Sequence, residues 1–155
     1  MLHHSKTGSR AVALAFLLYP AWLAAAPEVT AGTISVAQAW SRPTSPLVAT
    51  GAAYLTIRNL GVKPDRLLSV ATPVAKSAEI NETQHLNGVV QMRPVPSLEI
   101  SPGQTLRLAP GALHIMLLNL VRPLIPGTLY PLTLNFRDAG TVTVQVEVRD
   151  QPLHE

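Results

Sequence analysis

Cysteine is absent from all 155 residues, and that gap removes disulfides, thiolate metal sites and thiol nucleophiles together. Any metal or catalytic chemistry must therefore use histidine, methionine, carboxylates or hydroxyls. Aromatic residues are few, and the three tyrosines, two phenylalanines and two tryptophans are not interleaved with cations as a base-stacking surface requires. Lysine and arginine never stand side by side. Setting aside Lys6 and Arg10, which lie in a leader described below, ten cations face nine acids and leave about +1. No nucleic-acid partner is expected from such a surface. The acids are also dispersed, and neither a Gly-x-Ser-x-Gly nor a His-Glu-x-x-His pattern occurs, so nothing marks an enzyme.

A membrane-spanning run is missing as well. Residues 11–23 (AVALAFLLYPAWL) are almost wholly apolar, but they fall short of the roughly 20 residues a span needs and are interrupted by Pro20. Preceded by Lys6 and Arg10 and followed by Ala24, Ala25 and Ala26, the run reads as a secretory signal peptide over residues 1–26, with cleavage anywhere between Ala25 and Ala31. An exported protein with no stable membrane insertion after signal removal is expected. Without a cysteine at the new N-terminus, no lipid can be attached there. His3 and His4 leave with the leader.

What is present is a β pattern. From Thr33 onward, short β-branched runs alternate with Pro, Gly and Asn, and no ten-residue stretch shows a clean helical period. Nine candidate strands cover 33–40, 51–58, 66–71, 77–83, 88–93, 104–108, 113–119, 129–136 and 141–149. In the last, Val142, Val144, Val146 and Val148 face one way and Thr141, Thr143, Gln145 and Glu147 the other, as a sheet with one wet face demands. LHIMLL, by contrast, is apolar on both faces and belongs in the middle of the fold. With 47% apolar content, residues 33–149 form one domain with its own core, an all-β sandwich or Greek-key barrel of about eight or nine strands. A short polar tail, 150–155, carries His154.

The best-defined local feature is Asn87-Gly88, the preferred two-residue type I′ hairpin loop. It sets Leu86 opposite Val89, His85 opposite Val90 and Thr83 opposite Met92. Asn81, Thr83, His85, Val90 and Met92 then share one face.

Beyond the initiator only two methionines occur, Met92 and Met116, and His114 stands two residues before the second. At i and i+2 of a strand, His114 and Met116 point the same way, about 6.8 Å apart along the backbone. Two thioethers and an imidazole are soft to borderline donors, suited to Cu(I) and poorly suited to Mg, Ca or Mn. A blue electron-transfer site would need a cysteine, so storage or delivery is favoured over redox work. The competing reading is structural: methionine fills core gaps, and a histidine on an apolar strand is often simply hydrogen-bonded there.

The spacing is position 81, ten residues, Met92, twenty-one residues, His114-Ile115-Met116. With the framing runs AEINETQHLNGVVQMRPV, LEISPGQTLRLAPGALHIMLLNL and RPLIPGTLYPLTLNFRDAGTVTVQVEV, it resembles the periplasmic copper chaperone family PCu(A)C over most of residues 33–148. The resemblance implies a cupredoxin-like β-sandwich in the periplasm. It also implies Cu(I) carried at an accessible site and passed to the copper centre of a respiratory oxidase, directly or through another copper chaperone. Met92, His114 and Met116 match the family's ligands. At the fourth position the family has a histidine and this chain has Asn81, whose amide oxygen is a hard, weak donor to Cu(I). His85, diagonal to Met92 in the hairpin register, is a secondary candidate to replace it. The alternative to a copper carrier is a metal-free or weakly binding member that serves as a periplasmic protein-binding or assembly module.

Overall fold

A computed structural model describes residues 27–150. The segment expected to be a signal peptide and most of the polar tail, His154 included, lie outside the described residues.

Eleven strands and no helix make up the described residues. In chain order they are β1 (Val29–Ala31), β2 (Ile34–Ser41), β3 (Thr50–Asn59), β4 (Asp65–Ala71), β5 (Ala75–Leu86) and β6 (Val89–Pro94). There follow β7 (Leu98–Ile100), β8 (Thr105–Leu108), β9 (Leu113–Leu120), β10 (Leu129–Phe136) and β11 (Gly140–Val148). The sheet order is β6-β5-β9-β3-β2-β11-β10-β4-β7, with β1 added on β2 and β8 on β3. All pairs are antiparallel except β2 with β11. One apolar core draws on both halves of the sheet, Ile34, Leu55, Ile80, Ile115 and Leu117 from one and Leu67, Leu132, Leu134 and Val144 from the other. The result is a cupredoxin-like β-sandwich. The nine expected strands are all present, and the two extra ones, β1 and β7, are three residues each, too short to display an alternation.

The strand chemistry follows the alternation. Val142, Val144, Val146 and Val148 are buried, while Thr143 on the wet face shares a hydroxyl hydrogen bond with Thr133 at 3.1 Å. β9 has neighbours on both edges, β5 and β3, and so lies inside the sheet, with Ile115 and Leu117 buried on its core face. Pro131 is tolerated inside β10 because the ladder to β4 begins only at Thr133. In β2 the register slips between Ala37 and Trp40, where Gln38 adopts a positive φ of 55° and its Oε1 accepts from the Thr56 hydroxyl at 3.0 Å. This bulge shifts the facing of the strand, so Val36 enters the core while Trp40 joins Tyr54 across the ladder and away from it.

Candidate metal centre

β5 is the spine of the site, paired to β6 along one edge and to β9 along the other. The β5–β6 register is the one the Asn-Gly loop dictates: Leu86 opposes Val89, His85 Val90 and Thr83 Met92. Asn87 and Gly88 both have positive φ, 50° and 79°, as a type I′ turn requires. On the other edge Asn81 opposes His114, and Glu79 opposes Met116. Directly opposed residues share a face, so Glu79, Asn81, Thr83, Met92, His114 and Met116 all project to one side, opposite to that of the core residues Ile80 and Ile115.

Those six are not equally close. Asn81 with His114, and Glu79 with Met116, form two adjacent cross-strand pairs with Cβ atoms about 5 Å apart within each pair. Met92 is two strands from His114 and two residues along, roughly 12 Å between backbones on a flat sheet. Only its long side chain could bring its sulfur towards the others. Met92 is 57% exposed on an edge strand, not turned into the core. His85 is not brought to the group. The β9 strand lies on the Asn81 side of Met92, which leaves His85 four residues, about 13 Å, beyond Asn81 along β5, exposed beside the turn with Val90.

His114 is 5% exposed, and its Nδ1 lies 3.0 Å from the Ala112 carbonyl oxygen. A carbonyl can only accept, so Nδ1 carries a proton, and in the neutral ring Nε2 is the nitrogen with the lone pair. That arrangement, one ring nitrogen tied to the backbone and the other free as a donor, is the usual orientation of a metal-binding imidazole. Asn81 is 2% exposed, and its Nδ2 donates to Glu79 Oε1 at 3.0 Å. The carboxylate therefore fixes which way the amide points. Glu82 and Arg93 form their ion pair, 3.2 Å, on the other face and take no part in the site.

The side of the site towards β3 is nonpolar. Ala52 opposes Met116 across the β3–β9 ladder, and two residues on along β3 the same face carries Tyr54. The Tyr54 ring packs on Trp40 with centroids 4.7 Å apart, and the Arg149 guanidinium lies 5.7 Å from the Trp40 centroid. Burial pushes the Tyr54 phenol above its ordinary pKa against the opposing charge of Arg42. Tyr54 and Trp40 are buried, while Ala52 and Met116 are half-buried.

The donor set of Met92, His114 and Met116 fits a soft monovalent ion. Among the described residues no group of three or more His, Cys, Asp or Glu side chains offers an alternative metal site. Sequence reasoning does not single out Glu79, although the period-two rule that puts Asn81, Thr83 and His85 on one face includes it.

Comparison with known proteins gives a consistent result. A family model described as "Putative lipoprotein LpqE-like" matches residues 34–148. The protein named "Putative lipoprotein Lxx21020" from Leifsonia xyli subsp. xyli is 34% identical over 125 residues, covering 80% of this chain and 74% of that protein. Among solved structures, that of CuI-DR1885 from Deinococcus radiodurans is 31% identical with a TM-score of 0.63, covering 80% of this chain and 81% of that one. The copper-bound PCuAC domain from PmoF2 has a TM-score of 0.68 and covers 81% of this chain and 99% of its own, and at 23% identity it shows the fold alone. The solved structures share the fold described above, and the chain belongs to the LpqE-like family, within the wider group of PCuAC copper-chaperone-like β-sandwiches.

Proposed function

We propose that this protein carries Cu(I) as cargo outside the cytoplasm, holding it through Met92, His114 and Met116 and passing it to another protein. The observation that carries the reading is the His114 imidazole, pinned through Nδ1 to Ala112 with Nε2 left as a donor, beside Met116 on the same face of one strand. The Cu(I)-bound structure of DR1885, 31% identical, supports it. The ion is cargo, so the chain's own work is to present soft donors and leave an accessible approach at Met92. A non-enzymatic role fits this donor set.

The recipient we infer is a copper-receiving membrane oxidase subunit or a second copper chaperone, and the compartment is the periplasm. The leader-like segment 1–26 and the lipoprotein names of the relatives support export. This chain contains no cysteine, so within its 155 residues there is no thiol to carry a lipid.

Titration of the purified protein with Cu(I) against a competing chelator tests the reading. One equivalent retained is expected, with His114→Ala weakening binding by more than about 100-fold, beyond the 10–100-fold typical of losing a mere supporting contact. Met116→Leu, close to isosteric, should weaken it without unfolding the protein. Failure of the unaltered protein to retain Cu(I) favours the second reading, a metal-free assembly module, for which Asn81 in place of an imidazole is the supporting observation.

A further inference from the structure

Asn81 removes an imidazole from the ligand set, yet the position is neither empty nor exposed. Its amide is buried, and Nδ2 is committed to Glu79 Oε1. Glu79 in turn stands directly opposite Met116, one rung from the Asn81–His114 pair. By strand geometry it is nearer to His114 and Met116 than Met92 is. Its second carboxylate oxygen, Oε2, makes no hydrogen bond among the described residues. Among the described residues Glu79 has no cationic side chain as an ion-pair partner.

Charge gives this placement its meaning. Two thioethers and a neutral imidazole leave a bound Cu(I) with its full positive charge, beside a buried histidine and a nonpolar flank. A charge in such surroundings is costly unless an opposite charge lies within a few ångströms. The half-buried Glu79 carboxylate is the anionic group on this face of β5 and β9, and the amide of Asn81 holds it there. A histidine at position 81 would supply a donor but no negative charge.

We propose that Glu79 is a further contact to the copper ion. Its Oε2 faces the metal while Oε1 is held by Asn81, so that a carboxylate takes over the coordination position from which the imidazole is missing. Asn81 is then a positioning residue and not a ligand. The inference rests on the Cu(I)-carrier reading and adds a consequence of its own. An anionic oxygen donor favours the harder, more highly charged ion, so the site accepts Cu(II) as well as Cu(I).

The test is a comparison of unaltered protein, Glu79→Gln, Asn81→His and the double variant by chelator competition with Cu(I) and separately with Cu(II), with X-ray absorption on the Cu(I) forms. Glu79→Gln is expected to lower Cu(I) affinity about tenfold and Cu(II) affinity more steeply, within the 10–100-fold range for contacts that support a metal. In the Asn81→His background the same change should cost much less, since the imidazole then fills the position, and this non-additivity identifies a shared coordination site. The unaltered protein should show two light-atom scatterers per copper and Glu79→Gln one. Equal Cu(I) affinity for Glu79→Gln and the unaltered protein, or an unchanged light-atom count, overturns the inference while leaving the carrier reading intact. An unaltered protein that retains no copper overturns the carrier reading itself. Should Glu79→Gln fold poorly by circular dichroism, the light-atom count of the unaltered protein decides alone, since a single light scatterer leaves no room for the carboxylate.

Discussion

At the scale of single residues, Asp65 couples the stability of the fold to pH. It opens β4 almost fully buried, and its carboxylate accepts backbone N–H bonds from Arg66 at 2.7 Å, Asp138 at 3.0 Å and Ala139 at 2.9 Å. Burial alone would raise its pKa, but the three N–H donors and the charge of Arg137 outweigh it and hold the group below the ordinary value of 3.8. A carboxylate with a lowered folded pKa contributes stability that is present above the unfolded value and lost as pH falls through the folded one. Unfolding in urea should therefore show stability falling below about pH 4, and Asp65→Asn should flatten that fall. At neutral pH the substitution is expected to cost about 2 kcal/mol, the scale of hydrogen bonds to a charged acceptor. The anchor closes the loop between β10 and β11 onto the start of β4, and nothing in the sequence near Asp65 announces a partner 73 residues away.

Elements show more plainly what a sequence can tell. The Asn87-Gly88 turn dictates the whole β5–β6 register from the residues alone, because a two-residue type I′ loop leaves only one pairing. The both-faced apolarity of LHIMLL places β9 centrally, and it is central. Which edge of β5 receives β9 is not legible, since periodicity assigns faces and not neighbours. That choice separates Asn81, opposite His114, from His85, stranded at the hairpin end. The bulge at Gln38 is also invisible, because a left-handed residue other than glycine leaves no mark in composition. Face assignment in β6 can be tested directly. Exchanging two neighbours, Gln91→Met with Met92→Gln, keeps the composition and moves the thioether to the opposite side of the strand. Cu(I) affinity should fall as far as it does for Met92→Leu, while the melting temperature of this exposed edge strand stays within a degree or two, measured by chelator competition and thermal unfolding.

For the molecule as a whole, the candidate site joins three strands, β6, β5 and β9, of which β5 and β9 also build the core through Ile80, Ile115 and Leu117. A ligand that bridges them favours the folded state, since Met92 and Met116 are 24 residues apart in the chain. Mass action then adds about 2.7 kcal/mol at a free ion concentration 100 times the dissociation constant. In a domain of this size that is roughly 5–10 °C in the unfolding midpoint. Scanning calorimetry with and without Cu(I) should show the rise, and His114→Ala should abolish it. A shift that survives His114→Ala would place the ion elsewhere. With no disulfide available, the resting stability comes from the core, and Ile115→Ala, at a fully buried position directly behind the site, should cost about 2–5 kcal/mol.

The outermost place of β6 in the sheet sets the order in which a held ion would let go. Met92 hangs from the rim, open to whatever approaches, while the imidazole is braced from behind by a backbone oxygen and walled in on one flank. An acceptor arriving at that margin meets the exposed sulfur before anything else and can replace it while the deeper grip persists. If the carrier reading holds, release would begin with the sulfur at the free border and end with the imidazole of His114.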